Sequence, residues 1–322
     1  MKMAGRIQKV LECISPMMMK YSKLFRNGLI IAVALFIAGF ALFKSVSNTS
    51  KSVPINSYYN YDKAVPLKDS VYTITDSTNF KLLSVSYQSI HDKKVTGLLS
   101  IPKTDKTALP VILLIHGLGD HKAVDYVEYG NDYFLKNGYA VLRIDISEHG
   151  DRKSEFYDFD FTGSYKYWSR NIVSQTVFDL RRAVDFITTR KELDQNRIGY
   201  YGISLGGIIG TIFCGVEDRI KVPVIALAGG QLNLLFKEKA ISKEAKDFVS
   251  IIEPLNFVEQ ITPRPFLMLN AKNDEIVPPA MSKLLYGKAE NPKDIIWYDA
   301  KHRDAPIDVI YNDGLNWFKK YL

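Results

Sequence analysis

Gly202-Ile203-Ser204-Leu205-Gly206 decides the reading of this chain. The five residues have the form G-x-S-x-G. A short run with strand character, Arg197-Ile198-Gly199-Tyr200-Tyr201, leads into them, and Gly207-Ile208-Ile209-Gly210-Thr211-Ile212-Phe213 leaves as the first turns of a buried helix. A serine on so tight a strand-to-helix turn has its hydroxyl pushed out beyond the end of a sheet. The backbones come so close that only glycine, with no Cβ, fits on either side. Alone, the five letters carry little weight; with a strand before and a helix after, they make Ser204 a candidate activated nucleophile.

Strands and helices alternate on both sides of this turn. Residues 82–87 and 95–101 read as a hairpin, 110–115 as a strand buried on both faces, 126–137 as a helix stopped by Gly138, and 140–145 as the next strand. Residues 172–189 form an amphipathic helix with Ile172, Val173, Val177, Leu180, Val184 and Ile187 near one face. Strands at 197–203, 222–228, 265–270 and 295–298 follow, with helices at 205–216 and 307–321. The pattern predicts an α/β fold with a mostly parallel twisted sheet and helices on both faces. Functional groups on such a sheet belong at the C-terminal ends of its strands.

A serine hydroxyl needs a base, and the base needs a group to orient it. Asp274 follows the strand ending at Asn270, and His302 follows the strand ending at Tyr298. Of the five histidines, His91 falls in the hairpin turn, and His116 ends a buried strand, where it is expected to hold the next loop. His121 and His149 are candidates to border the site, and only His302 comes after both Ser204 and Asp274. Glu275 and Asp299 compete with Asp274 for the orienting role. In His116-Gly117-Leu118-Gly119, Gly117 allows a sharp turn that aims the Leu118 N–H at the site, where the Leu205 N–H at a helix start also points. Two such donors suit a developing oxyanion. No Cys/His cluster and no second histidine at helical spacing from His149 is found, and Gly117-x-Gly119 lacks the third glycine of a dinucleotide site, so no metal and no cofactor is expected.

These residues resemble the α/β-hydrolase superfamily, and within it the dienelactone-hydrolase-like and acetyl-xylan-esterase-like serine esterases. The resemblance covers residues 80–322. It is carried by His116-Gly117-Leu118-Gly119, Asp145-Ile146-Ser147-Glu148-His149-Gly150-Asp151-Arg152, the Ser204 turn, Pro263-Arg264-Pro265, Asn273-Asp274-Glu275-Ile276-Val277-Pro278 and His302. It implies a Ser204, Asp274 and His302 triad, oxyanion donors at Leu118 and Leu205, and cleavage of carboxylic esters through an acyl-enzyme. A peptidase, amidase or acyltransferase with the same triad is the alternative within catalysis, and an inactive hydrolase-fold binding protein the alternative of another class. Two positions depart from the pattern: Ala271 and Lys301 stand where glycines are common. An aromatic-rich insertion at 152–171 is placed to roof the pocket, with Tyr165, Trp168 and His149 as candidate substrate contacts, and residues 228–260 read as a second, short helical insertion.

Composition sets the remaining bounds. Hydrophobic residues make up 47% of 322, enough for one sizeable core. The formal charge is +7, but residues 1–51 hold eight of the 42 Lys and Arg and only one of the 35 Asp and Glu, so the rest is balanced. A body without net positive charge excludes nucleic acid as a partner. Cys13 and Cys214 imply no disulfide framework. The uncharged run at 28–43, GLIIAVALFIAGFALF, is preceded by Lys20, Lys23 and Arg26. As a leader helix it spans roughly 24 Å, and it predicts export of the body by a signal peptide or single-pass membrane anchor at 1–47. The expected organisation continues with a linker at 48–70 and a catalytic domain at 71–322. The expected partners are a small-molecule ester and, where the leader is uncut, the membrane.

Overall fold

The computed structural model describes residues 54–154 and 159–322. Among these residues nine strands form one sheet: β1 (Ser70–Asp76), β2 (Phe80–Gln88), β3 (Lys94–Pro102), β4 (Leu109–Ile115), β5 (Ala140–Ile144), β6 (Leu193–Ile203), β7 (Ile220–Ala226), β8 (Phe266–Ala271) and β9 (Lys293–Tyr298), in the order β1-β2-β3-β5-β4-β6-β7-β8-β9. β1, β2 and β3 are an antiparallel meander, and β3 is antiparallel to β5. The remaining strands pair in parallel. The sheet is therefore mixed, with its antiparallel part confined to one side.

Among the described residues six α-helices cover it: α1 (Asp125–Lys136), α2 (Lys166–Thr188), α3 (Leu205–Val216), α4 (Lys243–Val249), α5 (Pro279–Lys288) and α6 (Ile307–Tyr321). Side chains alternate along a strand, so each parallel strand feeds two cores. Leu113, Ile115, Leu142, Tyr200 and Met268 point to one face and pack with Val177 and Leu180 of α2, Ile209 and Phe213 of α3 and Leu285 of α5. Ile112, Leu114, Val141, Tyr201 and Leu269 point to the other and pack with Val127 and Phe134 of α1 and Leu315 and Phe318 of α6. Each such side chain, fully withdrawn from water, stabilises the fold by roughly 1.5–3 kcal/mol.

Arg264, in the turn before β8, closes the C-terminal end of α3. Its guanidinium donates to the carbonyls of Cys214 at 2.5 Å, Glu217 at 2.9 Å, Ile220 at 3.1 Å, Gln260 at 3.0 Å and Ile261 at 2.9 Å. A helix end leaves carbonyls without intrahelical partners and carries partial negative charge, and a planar cation answers both needs.

Residues 55–69, read from the sequence as the end of a linker, are packed onto the body instead. Tyr59 is fully buried and donates its hydroxyl to the Ile251 carbonyl at 2.6 Å, while Tyr61 donates to Asp185 at 2.8 Å. The anchor needs a larger correction. Among the described residues no helix is long and apolar enough to cross a membrane. The run at 28–43, on which the signal peptide, the single-pass anchor and the membrane partner rested, lies outside the described residues. The expected membrane anchor is thus corrected: none of the described helices supplies one.

Candidate active site

Ser204 stands between β6 and α3 with φ 54° and ψ −116°, a conformation that side chains with a Cβ rarely adopt. Four features hold it there. Its N–H donates to the Ala226 carbonyl at 2.8 Å, and its carbonyl accepts from Ile208 N–H at 3.0 Å. The buried Tyr200 hydroxyl donates to the Gly206 carbonyl at 2.6 Å. Close packing does the rest: a Cβ at Gly202 would sit 2.4 Å from the Gly206 oxygen, and one at Gly206 would sit 2.6 Å from the His116 oxygen. Both glycines are steric requirements of the turn.

The loops after β8 and β9 bring Asp274 and His302 to this serine. His302 Nε2 lies 3.0 Å from Ser204 Oγ, and His302 Nδ1 lies 2.7 Å from Asp274 Oδ2. Asp274 Oδ1 accepts from the Ile276 and Val277 N–H groups at 2.9 and 2.7 Å, so both carboxylate oxygens are engaged. The two side chains are 9% and 1% exposed, which keeps competing water off their contact. With Asp274 accepting from Nδ1–H, Nε2 has a free lone pair facing the serine hydroxyl. The competing acids are engaged elsewhere: Glu275 accepts from the His302 backbone N–H at 3.3 Å, and Asp299 from the Asn273 side chain at 3.0 Å. Ala271 and Lys301 occupy their positions without opening either gap.

Leu205 is the first residue of α3 and Leu118 sits in the loop after β4. Among the described residues neither N–H has a hydrogen-bond acceptor. That loop is tied down on each side of Gly117. His116, fully buried, donates from Nδ1 to the Gly117 carbonyl at 2.7 Å and accepts the Ile146 N–H on Nε2 at 3.0 Å. Burial drives its pKa down to about 4, against the pull of the Gly117 bond, so it is a neutral latch between the loops after β4 and β5. On the other side, Gly117 N–H donates to the Tyr126 hydroxyl at 2.7 Å, which donates to Asp120 at 2.8 Å. Sequence reasoning missed Tyr126, since a tyrosine in the first turn of a helix carries no signal that its hydroxyl turns back to a glycine amide.

The loop after β5 is built on the buried Asp145, which accepts from the Lys122 backbone N–H at 2.8 Å, the Lys122 ammonium at 2.5 Å and the Asp151 N–H at 3.1 Å. Arg152 joins it to α2, donating to the Asp145 carbonyl at 2.9 Å and to Asp179 at 2.7 Å. His149 is buried in this loop with Nδ1 2.9 Å from the Ser147 carbonyl; burial lowers its pKa. Its ring packs on those of His116 and Phe159. The insertion divides in two: Phe159 and Phe161 pack against the core, while Tyr165 and Trp168 lie about half exposed at the start of α2. The structure thus brings Ser204, His302 and Asp274 into one chain of contacts, and leaves Tyr165 and Trp168 on the surface. Among the described residues no cluster of His, Cys, Asp or Glu is arranged to hold a metal ion.

The strand order, with a strained serine at a strand-to-helix turn and a histidine and a buried carboxylate on successive strand ends, defines the class: a protein of the α/β-hydrolase fold. Within that class the chain belongs to the acetyl xylan esterase (AXE1) family, whose sequence profile matches residues 56–228. The matched region includes Ser204 and stops short of Asp274 and His302. Putative hydrolase YtaP of Bacillus subtilis (strain 168) is 27% identical over 203 residues, 55% of this chain and 64% of its own length. Acetyl esterase Axe7A of Xylanibacter ruminicola is 22% identical over 312 residues, 88% of this chain and 66% of its own. The chain thus spans just under two thirds of the length of these two curated relatives. The solved acetyl xylan esterase from Paenibacillus sp. R4 superposes with a TM-score of 0.71 at 20% identity, over 85% of this chain and 96% of its own; this likeness speaks for the fold.

Proposed function

We propose that this chain is a serine esterase that cleaves small carboxylic esters, acetyl esters foremost, through an acyl-enzyme. Ser204 Oγ attacks the ester carbonyl while His302 Nε2 takes its proton. Asp274 holds the imidazole in the tautomer this requires and stabilises the imidazolium that forms. The Leu118 and Leu205 N–H groups receive the charge that builds on the carbonyl oxygen. His302 then returns its proton to the departing alkoxide, and the alcohol leaves. Water, activated by the same imidazole, attacks the acyl-serine and releases the acid.

The continuous 3.0 and 2.7 Å contacts from Ser204 through His302 to Asp274 carry this reading. The acyl group is taken to be small because the family profile is that of acetyl xylan esterases and one curated relative, Axe7A, is named an acetyl esterase. Tyr165, Trp168 and His149 are kept within this proposal as substrate contacts, the first two half exposed at the start of α2 and the third buried in the loop after β5. The test is Ser204→Ala, which is expected to abolish p-nitrophenyl acetate hydrolysis and labelling by a fluorophosphonate while leaving the melting transition cooperative. Turnover that survives the substitution refutes Ser204 as nucleophile.

A further inference from the structure

The Leu118 amide does not stabilise charge merely by being present; its peptide plane must be held still, and the residue before it is a glycine. Gly117 has no Cβ to restrict its two dihedrals, so the planes on either side of it are soft unless each is clamped. The plane between Gly117 and Leu118 carries the Leu118 N–H on one edge and the Gly117 carbonyl on the other, and His116 Nδ1 holds that carbonyl at 2.7 Å. The plane between His116 and Gly117 is held at its N–H by the Tyr126 hydroxyl, also at 2.7 Å. A phenol has one proton. Tyr126 gives it to Asp120 Oδ2 at 2.8 Å, which fixes the hydroxyl rotor and turns a lone pair toward Gly117.

The clamp stands beside the reacting serine. A Cβ placed on Gly117 would lie 3.3 Å from the Tyr126 oxygen and 3.4 Å from Ser204 Cβ. Burial raises the Tyr126 pKa, so the phenol keeps its proton through the working range of an esterase.

Resting on the oxyanion role proposed above for Leu118, we propose that Tyr126, locked by Asp120, is a positioning residue that pre-sets the oxyanion amide through the Gly117 peptide. It touches no reacting atom. Its contribution is the reorganisation that the loop avoids when charge develops, and such preorganisation appears in kcat rather than in KM.

The test compares the wild-type protein with Tyr126→Phe on p-nitrophenyl acetate. The expected result is a fall in kcat of about tenfold, a part of the ~10²–10³ that follows complete loss of one oxyanion donor. KM is expected to stay within about twofold, since ground-state binding is untouched. The inhibition constant of an aryl boronic acid, which forms a tetrahedral adduct on the serine, rises in step with the loss of kcat, and the pH–rate profile keeps its shape. A kcat equal to that of the wild type overturns the proposal, as does a rise in KM alone. Loss of the alkaline limb of the profile overturns it too, because Tyr126 is then a proton donor. Should Tyr126→Phe fail to fold, Asp120→Ala in the half-buried loop takes its place, with an expected kcat loss of about threefold or more and an unchanged melting temperature; unchanged kcat sinks the idea. The parent reading fails separately: a wild-type protein that neither turns over the ester nor takes a fluorophosphonate refutes the esterase assignment, whereas an active wild type matched by Tyr126→Phe refutes only the positioning role.

Discussion

Asp274→Asn is the sharpest probe of the relay, because the surroundings decide which way the new amide points. In the native chain Oδ1 accepts two backbone N–H groups, from Ile276 at 2.9 Å and Val277 at 2.7 Å, and Oδ2 faces His302 Nδ1 at 2.7 Å. Asparagine has one oxygen. Placed at Oδ1 it keeps both backbone bonds; placed at Oδ2 it sets its NH2 against two donors in a buried loop, at a cost of about 1–3 kcal/mol for each amide left unsatisfied. The first arrangement wins, and the asparagine NH2 then donates to His302 Nδ1. The imidazole proton must move to Nε2, which turns a donor rather than an acceptor toward Ser204 Oγ, 3.0 Å away. The geometry stays, but the base is gone. A carboxylate-to-amide change of this kind in a Ser-His-Asp relay costs about 10⁴ in kcat, or ~5.5 kcal/mol of transition-state stabilisation. The assay is steady-state hydrolysis of p-nitrophenyl acetate, with fluorophosphonate labelling rates and thermal unfolding alongside. Labelling should slow with kcat, and stability should change little because both backbone bonds survive. A variant retaining a tenth of wild-type kcat refutes the relay.

Two further expectations concern stability. His116 and His149 both have imidazole pKa values depressed by burial, that of His116 from 6.5 to about 4. On acidification the unfolded chain binds protons at these sites before the folded chain does, so stability rises with pH across this window and falls as pH drops below 6.5. Urea midpoints should decline from pH 6.5 to about 5, above most of the carboxylate range; a flat midpoint refutes the neutral latch. Arg264→Met should cost about 2–4 kcal/mol by removing a cation shared among five carbonyls, with kcat per folded molecule unchanged. Arg264→Lys should recover little of it, since an ammonium cannot address that planar fan; wild-type stability in the lysine variant overturns the account.

Much of this architecture was legible because it rests on local rules. The two glycines of the Ser204 turn announce close backbone approach, and the apolar run of β4 announces a strand buried on both faces. The order Ser204, Asp274, His302 follows from strand ends that alternation reveals. What was illegible depends on tertiary placement. β1, SVYTITD, is exposed at almost every position on the sheet's edge, so no burial pattern marks it. The insertion of β5 between β3 and β4 has no sequence correlate, whereas the antiparallel pairs that make the sheet mixed lie on the side of the hairpin the sequence does show. Residues 55–69 look like linker because their anchoring is by two tyrosines, Tyr59 and Tyr61, rather than by a periodic apolar face. Three acids were open to His302 from the sequence. Only the closure of two loops sends Asp299 to Asn273 and leaves Asp274 on the imidazole.

The backbone at Ser204 suits glycine better than any residue bearing a Cβ, and its φ of 54° persists because helix, strand and neighbouring carbonyls leave it no other place to go. Reactivity and conformational tension therefore occupy a single residue. Sequence drift that relaxed this point would gain thermal resilience by discarding the hydroxyl, so a hardier descendant of this chain and an inert one could differ at the same codon.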